Sequence, residues 1–298
     1  MSALSVRGLR RVCGAAMSMA AAIALAGWAA PDSALAQPPK PMLQFPPAGS
    51  GNEYVVTREN AANLRIERLV LPDNFTLRVA PDVRAIVWDV GTLEFGANAT
   101  IDLSAPQDVP AKAADGGTPS GRAVACTAGG PGHDGAPGQA GSIGVSLTFR
   151  GVTRIVNSGS LWIRTDGGPG GAGGDGGAGQ QGGAPRKELI SSHCGAAAGG
   201  QGGSGGNGGL GGATADVVIV TAKGQPLDLP RDCQATCGRS QRPGAASGDT
   251  GVIATWGGPG CGGAGGRAGP GGLGGESGAP NGSSGAAGGA GAQGACIK

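Results

Sequence analysis

The sequence predicts an all-β protein. Short strands form a β-solenoid or a sandwich, joined to a bundle of polyglycine-II (Gly-Gly-X) helices and stapled by disulfides, with essentially no α-helix after an N-terminal signal peptide. Three observations carry this reading. Gly accounts for 65 of 298 residues, and only seven of them precede Asp115. The later glycines hold a period of three over long runs, which matches a left-handed helix of three residues per turn. Outside those runs, apolar and polar residues alternate over short stretches bounded by turn residues, the signature of half-buried strands.

In chain order, Arg7, Arg10 and Arg11 precede an apolar, Ala-rich run from Val12 to Ala30, and Ala34-Leu35-Ala36 supplies small residues for cleavage before Gln37. Residues 1–36 therefore read as a secretory signal peptide. Residues 37–52 (QPPKPMLQFPPA and the glycines after it) read as a Pro-rich, extended linker. Over 53–115 a β-rich module is expected: Phe75, Leu77 and Val79 alternate with Thr76, Arg78 and Ala80, and Ile86, Trp88 and Val90 continue the pattern. Pro72-Asp73-Asn74, Pro81-Asp82 and Gly96-Ala97-Asn98 mark the turns. Residues 116–298 form a Gly-rich repeat region, with phased tracts at 129–144, 167–184, 199–213, 257–280 and 282–296. Between them lie β-branched runs at 145–149, 154–157, 161–165, 217–221 and 252–256. The tetrapeptide GGPG starts at Gly129, Gly167 and Gly257, and twice it closes a strand, so strand, GGPG and tract form an irregular repeat unit.

A period of three has four physical readings. A collagen triple helix needs abundant imino acids, but 116–298 holds only 11 prolines, about 6% where at least about 15–20% is usual. Disordered linkers need neither strict phase nor interleaved strands and cysteines. A parallel β-solenoid would carry the glycines in its turns. A polyglycine-II bundle would put every X side chain on one edge and leave two edges as bare backbone, so amides could bond between helices. Ordering each glycine costs about 1–2 kcal/mol, and a net hydrogen bond returns about 0.5–1.5 kcal/mol. Such a bundle is near balance, and cross-links decide it.

Cys126, Cys194, Cys233, Cys237, Cys261 and Cys296 are the disulfide candidates; Cys126 and Cys194 stand just before tracts, Cys261 lies inside one and Cys296 ends the last. Fifteen pairings are possible. The closest spacing, Cys233-x3-Cys237, with only His133 and His193 in the chain, argues against a zinc site. Three disulfides imply export to an oxidising compartment: periplasm, cell surface or extracellular space.

Formal net charge is +2. Residues 1–36 carry three arginines and one aspartate, so the remainder is neutral and has no electrostatic footprint for nucleic acid. No membrane span is expected after signal cleavage. The segment GGAGGDGGA at 170–178 lacks the large apolar residue of a calcium nonapeptide and does not recur. His133-Asp134 lies within a tract, and His193-Cys194 pairs a histidine with a cysteine expected to be bridged. Phosphate-loop and nucleophile-elbow contexts are missing. No catalytic, cofactor-binding or metal-binding residue is therefore assigned. Trp88, Trp162 and Trp256 are expected in the core, the other reading being a sugar-stacking face on a solenoid.

The run GTLEFGANATIDLSA from Gly91, GGPGHDGAPGQAGSIG at 129–144 and SLWIRTDGGPGGAGGDGGAG from Ser160 resemble exported bacterial collagen-like, glycine-rich repeat proteins, in which solenoid strands alternate with Gly-rich tracts. The Gly-Gly-X tracts and cysteines also resemble snow-flea antifreeze proteins, which implies a polyglycine-II bundle. Here the X positions include Asp175, Gln201, Asn207, Leu210 and Glu276 in place of a uniform row of small residues. The expected function is non-enzymatic: an exported structural or surface-interaction protein whose partner is a cell-surface or extracellular polymer. Carbohydrate binding or carbohydrate-active chemistry on a β-helix is one alternative, and ice binding a second.

Overall fold

A computed structural model describes residues 41–186, 194–233, 237–238, 253–275 and 279–296. The expected signal peptide, His193, Val252 and Glu276 lie outside the described residues. The described chain is essentially all-β. Its one helix, α1 (Arg58–Ala61), has four residues.

Alternating apolar residues build two parallel sheets. The first holds β1 (Pro41–Phe45), β3 (Ala62–Leu71), β5 (Ala85–Phe95), β7 (Ser146–Val152) and β10 (Val217–Thr221), with β8 (Arg154–Asn157) pairing the second half of β5. The other runs β11 (Arg231–Cys233), β12 (Ile253–Gly257), β9 (Leu161–Arg164), β6 (Ala99–Asp102), β4 (Thr76–Val79) and β2 (Glu53–Val56). Through β6, successive strands fall in opposite sheets, so each circuit adds one strand to both. β1 arises inside the Pro-rich stretch because Met42, Gln44 and Phe45 continue the register of β3 and bury Phe45.

The inward side chains form the main core. Leu77, Ile101 and Ile163 stand in register across β4, β6 and β9 and are fully buried. Opposite them, Trp88 stacks on Phe149 at 5.8 Å and meets the edge of Phe45 at 5.0 Å, while its indole N–H donates to Asn60 O at 2.6 Å. Burying each such side chain contributes about 1.5–3 kcal/mol. In β5 the buried positions run Ile86, Trp88, Val90 and then Leu93, Phe95, a slip at Gly91-Thr92. Glycine is required there, since a Cβ on Gly91 would lie 2.8 Å from Glu67 O. At the turns before β4 and β6, Asn74 and Asn98 adopt φ of 56° and 57°, a conformation Asn tolerates. Asn98 Nδ2 donates to Asn74 Oδ1 at 3.1 Å, stacking the two turns.

Among the described residues, six extended tracts run out from or back toward these sheets. Tract 1 (104–125) follows β6 and tract 2 (129–144) leads back to β7. Tract 3 (167–184) follows β9 and tract 4 (195–214) leads to β10; tract 5 (258–275) follows β12 and tract 6 (280–296) runs back beside it. Odd tracts form one layer and even tracts the other. Within a layer neighbours are parallel: Gly170 and Gly173 of tract 3 donate to Cys261 O and Ala264 O, and Gly202 and Gly205 of tract 4 donate to Ser283 O and Ala286 O. Between layers neighbours are antiparallel: Gly203, Gly206 and Gly209 donate to Gly177 O, Gly174 O and Gly171 O at 2.8 Å. The in-layer and cross-layer bonds both recur every third residue. The backbone amides that extended glycine chains cannot satisfy internally thus find partners in neighbouring tracts.

This packing explains where glycine is used. A Cβ on Gly173 would overlap Gly206 O, and one on Gly206 would overlap Ala136 O. In tracts 3, 4 and 5 both glycines of a triplet face another tract, so that a Cβ on Gly262 or Gly263 would overlap Gly291 O or Gly171 O, and these tracts carry two glycines in most triplets. Tract 2, the first of its layer, and tract 6, the last of the bundle, mostly carry one, as in Gly135-Ala136-Pro137 and Gly285-Ala286-Ala287. Ala136 in tract 2 and Ala287 in tract 6 stand in place of the second glycine, Ala286 being the X residue of its triplet.

The six candidate cysteines fall in three pairs at disulfide distance: Cys126–Cys194, Cys233–Cys296 and Cys237–Cys261, with Cα–Cα separations of 5.7, 6.3 and 4.7 Å. Such bridging belongs to an oxidising, extracytoplasmic setting. Among the described residues, no helix is long and apolar enough to cross a membrane.

Candidate interaction faces

Every third residue of a tract points out of its layer, so the X side chains form two opposed faces. On the odd-tract face, Lys112, Asp115, Asp175 and Arg267 gather from tracts 1, 3 and 5. Lys112 Nζ lies 2.7 Å from both Asp115 Oδ1 and Asp175 Oδ2. The even-tract face carries X residues such as Pro131, Asp134, Gln201, Asn207, Leu210 and Ala292. Asp134 is its single charge among the described X positions of tracts 2, 4 and 6.

The polar X residues have a backbone task that sequence reasoning missed. The X amide has no carbonyl partner in the lattice, and an Asp, Asn or Thr on the preceding parallel tract accepts it instead. Asp115 Oδ1 accepts Asp175 N at 2.7 Å, Thr118 Oγ1 accepts Ala178 N at 3.0 Å, and Asp175 Oδ1 accepts Arg267 N at 2.6 Å. In the other layer Asp134 Oδ1 accepts Ser204 N at 2.7 Å and Asn207 Oδ1 accepts Gly289 N at 2.9 Å. At the junction with the strands, fully buried Asp166 accepts Gly258 N at 2.8 Å and holds Arg164 at 2.9 Å. The available signal was the placing of Asp and Asn at X positions within otherwise small residues. Asp175 and Asn207 are thus lattice clasps in addition to surface side chains.

These bonds move the titrations. The Lys112 ammonium holds Asp115 and Asp175 below the usual carboxylate range, helped by the amide each accepts, and the two carboxylates push Lys112 up. Because the folded carboxyl values are depressed, the stabilisation is present above the ordinary carboxylate range and disappears as pH falls through the lowered values. Both carboxyls are expected to titrate below the ordinary range in carbon-detected NMR, and Lys112→Met should move them back up. The effect is to shrink in high salt, since the pair is solvent-exposed.

Of the sequence-derived candidates, His133 lies exposed in tract 2, its backbone N donating to Gly117 O at 3.0 Å and its O accepting Gly177 N at 2.8 Å. Asp134 beside it is the clasp described above. All three strand tryptophans are buried. Trp88 is in the main core, and Trp162 and Trp256 meet edge to face at 5.9 Å on the opposite side of the second sheet. None of them offers an open ring face for a sugar. No group of three or more His, Cys, Asp or Glu side chains placed to hold a metal occurs among the described residues.

No protein-family model matches the chain, and no curated protein matches it. Among solved structures it is similar to a springtail antifreeze protein from Granisotoma rainieri, a bundle of nine polyproline type II helices whose crystal waters match the ice lattice. Identity is 21% over 62% of this chain and 95% of that one, with a TM-score of 0.11, a superposition too poor to establish a common fold.

Proposed function

We propose that the chain is a non-enzymatic exported scaffold in which a parallel β-solenoid continues into a six-helix polyglycine-II bundle, displaying X side chains in rows to a cell-surface or extracellular polymer. The observation that supports this reading is the period-three hydrogen bonding. Gly168, Gly171, Gly174 and Gly177 each donate across the layers to tract 2, at 2.7–2.8 Å. A sequence that devotes two of three positions to backbone contact leaves only the third for recognition. What it can present is therefore a flat, regular, nearly neutral surface, with the disulfides holding it against proteolysis.

The test uses the oxidised protein recovered after export. Slow hydrogen exchange is expected at Gly171, Gly174, Gly206 and Gly209, with no free thiol and an N-terminus at Gln37. Exchange at the intrinsic rate throughout the tracts would overturn the bundle, and retained thiols or an intracellular location would overturn the exported scaffold.

A further inference from the structure

The two bundle faces differ in a way their backbone lattice does not require. On the odd-tract face Lys112, Asp115 and Asp175 are ion-paired, with Arg267 beside them, and the exposed large apolar X residues, Val109 and Leu273, stand on the two outer tracts, 1 and 5. On the even-tract face two large apolar side chains lie one triplet apart on neighbouring tracts: Ile143, beside Ala213, is 60% exposed and Leu210, beside Ala140, 58%. Their neighbourhood is fixed by Gly141 N donating to Leu210 O at 2.8 Å and Gly144 N to Ala213 O at 3.2 Å. Ala140, Ala213, Ala292 and Ala295 extend the patch across tracts 2, 4 and 6. The one charge, Asp134, has an oxygen already engaged by Ser204 N. Contiguous exposed apolar surface of this kind marks an interaction site.

We propose that the even-tract face is a self-association surface, occupied by the same face of a second copy of this chain. This rests on the bundle reading above. Two arguments select a second copy. First, size: tracts of about five triplets at about 3.1 Å per residue, three abreast at about 4.8 Å, give a face of about 45 by 15 Å. That is about 700 Å² per copy, close to the roughly 800 Å² per partner of a standard stable interface. Second, shape: the rows of X side chains repeat with the tract spacing in one direction and every third residue in the other. Side chains in such rows interdigitate best with a surface of the same two periods, and a second copy carries both. The charge clusters of the odd-tract face would pay desolvation on burial, whereas the even-tract face has almost no charge to desolvate.

Light scattering on the size-fractionated, oxidised full chain tests this. A dimer mass is expected at micromolar concentration. Leu210→Arg and Ile143→Arg should each raise the dissociation constant at least tenfold, and Leu273→Arg on the opposite face should leave the dimer intact. A monomer at all concentrations, or equal disruption by Leu273→Arg, would overturn the proposal. Hydrogen exchange separates the two readings. Protected tract amides in a monomeric wild type would sink only the self-association, whereas unprotected amides would sink the bundle itself. The same measurement shows whether each arginine variant has kept its tracts.

Discussion

Gly206→Ala is expected to lower stability by about 2–4 kcal/mol, while Gly289→Ala changes it by no more than about 0.5 kcal/mol. In general a Gly→Ala replacement stabilises by about 0.4–1 kcal/mol through the unfolded chain, where the native backbone accepts it without a clash. The difference here lies in what the new methyl group meets. At Gly206, in tract 4, it would overlap Ala136 O of tract 2. The obstacle is backbone and cannot rotate away. Tracts 2 and 4 would have to separate, weakening Gly135 N to Ser204 O and Gly138 N to Asn207 O, both 2.8 Å. Gly206 also donates to Gly174 O and accepts from Gly266 N, so the disturbance reaches three tracts. At Gly289, an X position of tract 6, the nearest neighbour of the added Cβ would be Asn207 Oδ1 at 3.5 Å, an ordinary contact. Denaturant unfolding followed by circular dichroism measures both. Equal losses at the two sites would mean that tract contacts do not set stability.

The same geometry explains how much was legible beforehand. The strand Thr76–Val79 follows from alternation, because one of its faces must be apolar to join the main core, whereas Leu161–Arg164 shows as an unbroken apolar run because both of its faces are buried. The period of three was equally plain. Tract 1 was not, since 104–125 contains only Gly116, Gly117 and Gly121. As the first tract of its layer it bonds to tract 3 beside it and tract 2 across from it but has no preceding tract in its own layer, and so needs less glycine. Nor was β1, whose strand character comes from pairing with β3 and not from its own Pro-rich composition. The clasping roles of Asp115, Asp134, Asp175 and Asn207 depend on which tract lies beside which, information that no single tract contains. Disulfide pairing fails for the same reason: Cys126 and Cys194 are 68 residues apart and meet only because two hairpins stack.

That pairing makes the second large prediction. Cys126 sits in the turn between tracts 1 and 2, and Cys194 stands just before tract 4, so their bridge clamps the far tips of two successive hairpins. The cross-link encloses 68 residues, including β7, β8, β9 and tracts 2 and 3. In the chain-entropy account, closing a loop of that length removes about 4 kcal/mol of disorder from the unfolded state, against about 3 kcal/mol for the 24-residue span between Cys237 and Cys261. Replacing Cys126 and Cys194 together by serine should therefore cost about 4 kcal/mol in denaturant unfolding. The loss should also have a location. Amides near the tips, such as Cys126 N to Ala184 O and Gly183 N to Thr127 O, should lose exchange protection. Those at the roots, such as Gly168 N to Ser142 O and Gly212 N to Gly168 O, should keep it, because β6, β7, β9 and β10 still hold them. Breaking Cys233–Cys296 should give the reverse pattern. It ties the end of tract 6 to β11, so protection should fall first at Gly294 and Gly291 and persist at the tips. If both double variants lost protection evenly along the tracts, the bundle would be one cooperative unit and the disulfides would act only through the unfolded chain. Opposite gradients from the two variants would mean that each cross-link holds the end of the bundle at which it lies. The near-balance of glycine ordering cost against hydrogen-bond gain requires that second outcome, since a tract with little net stability of its own separates first where nothing covalent restrains it.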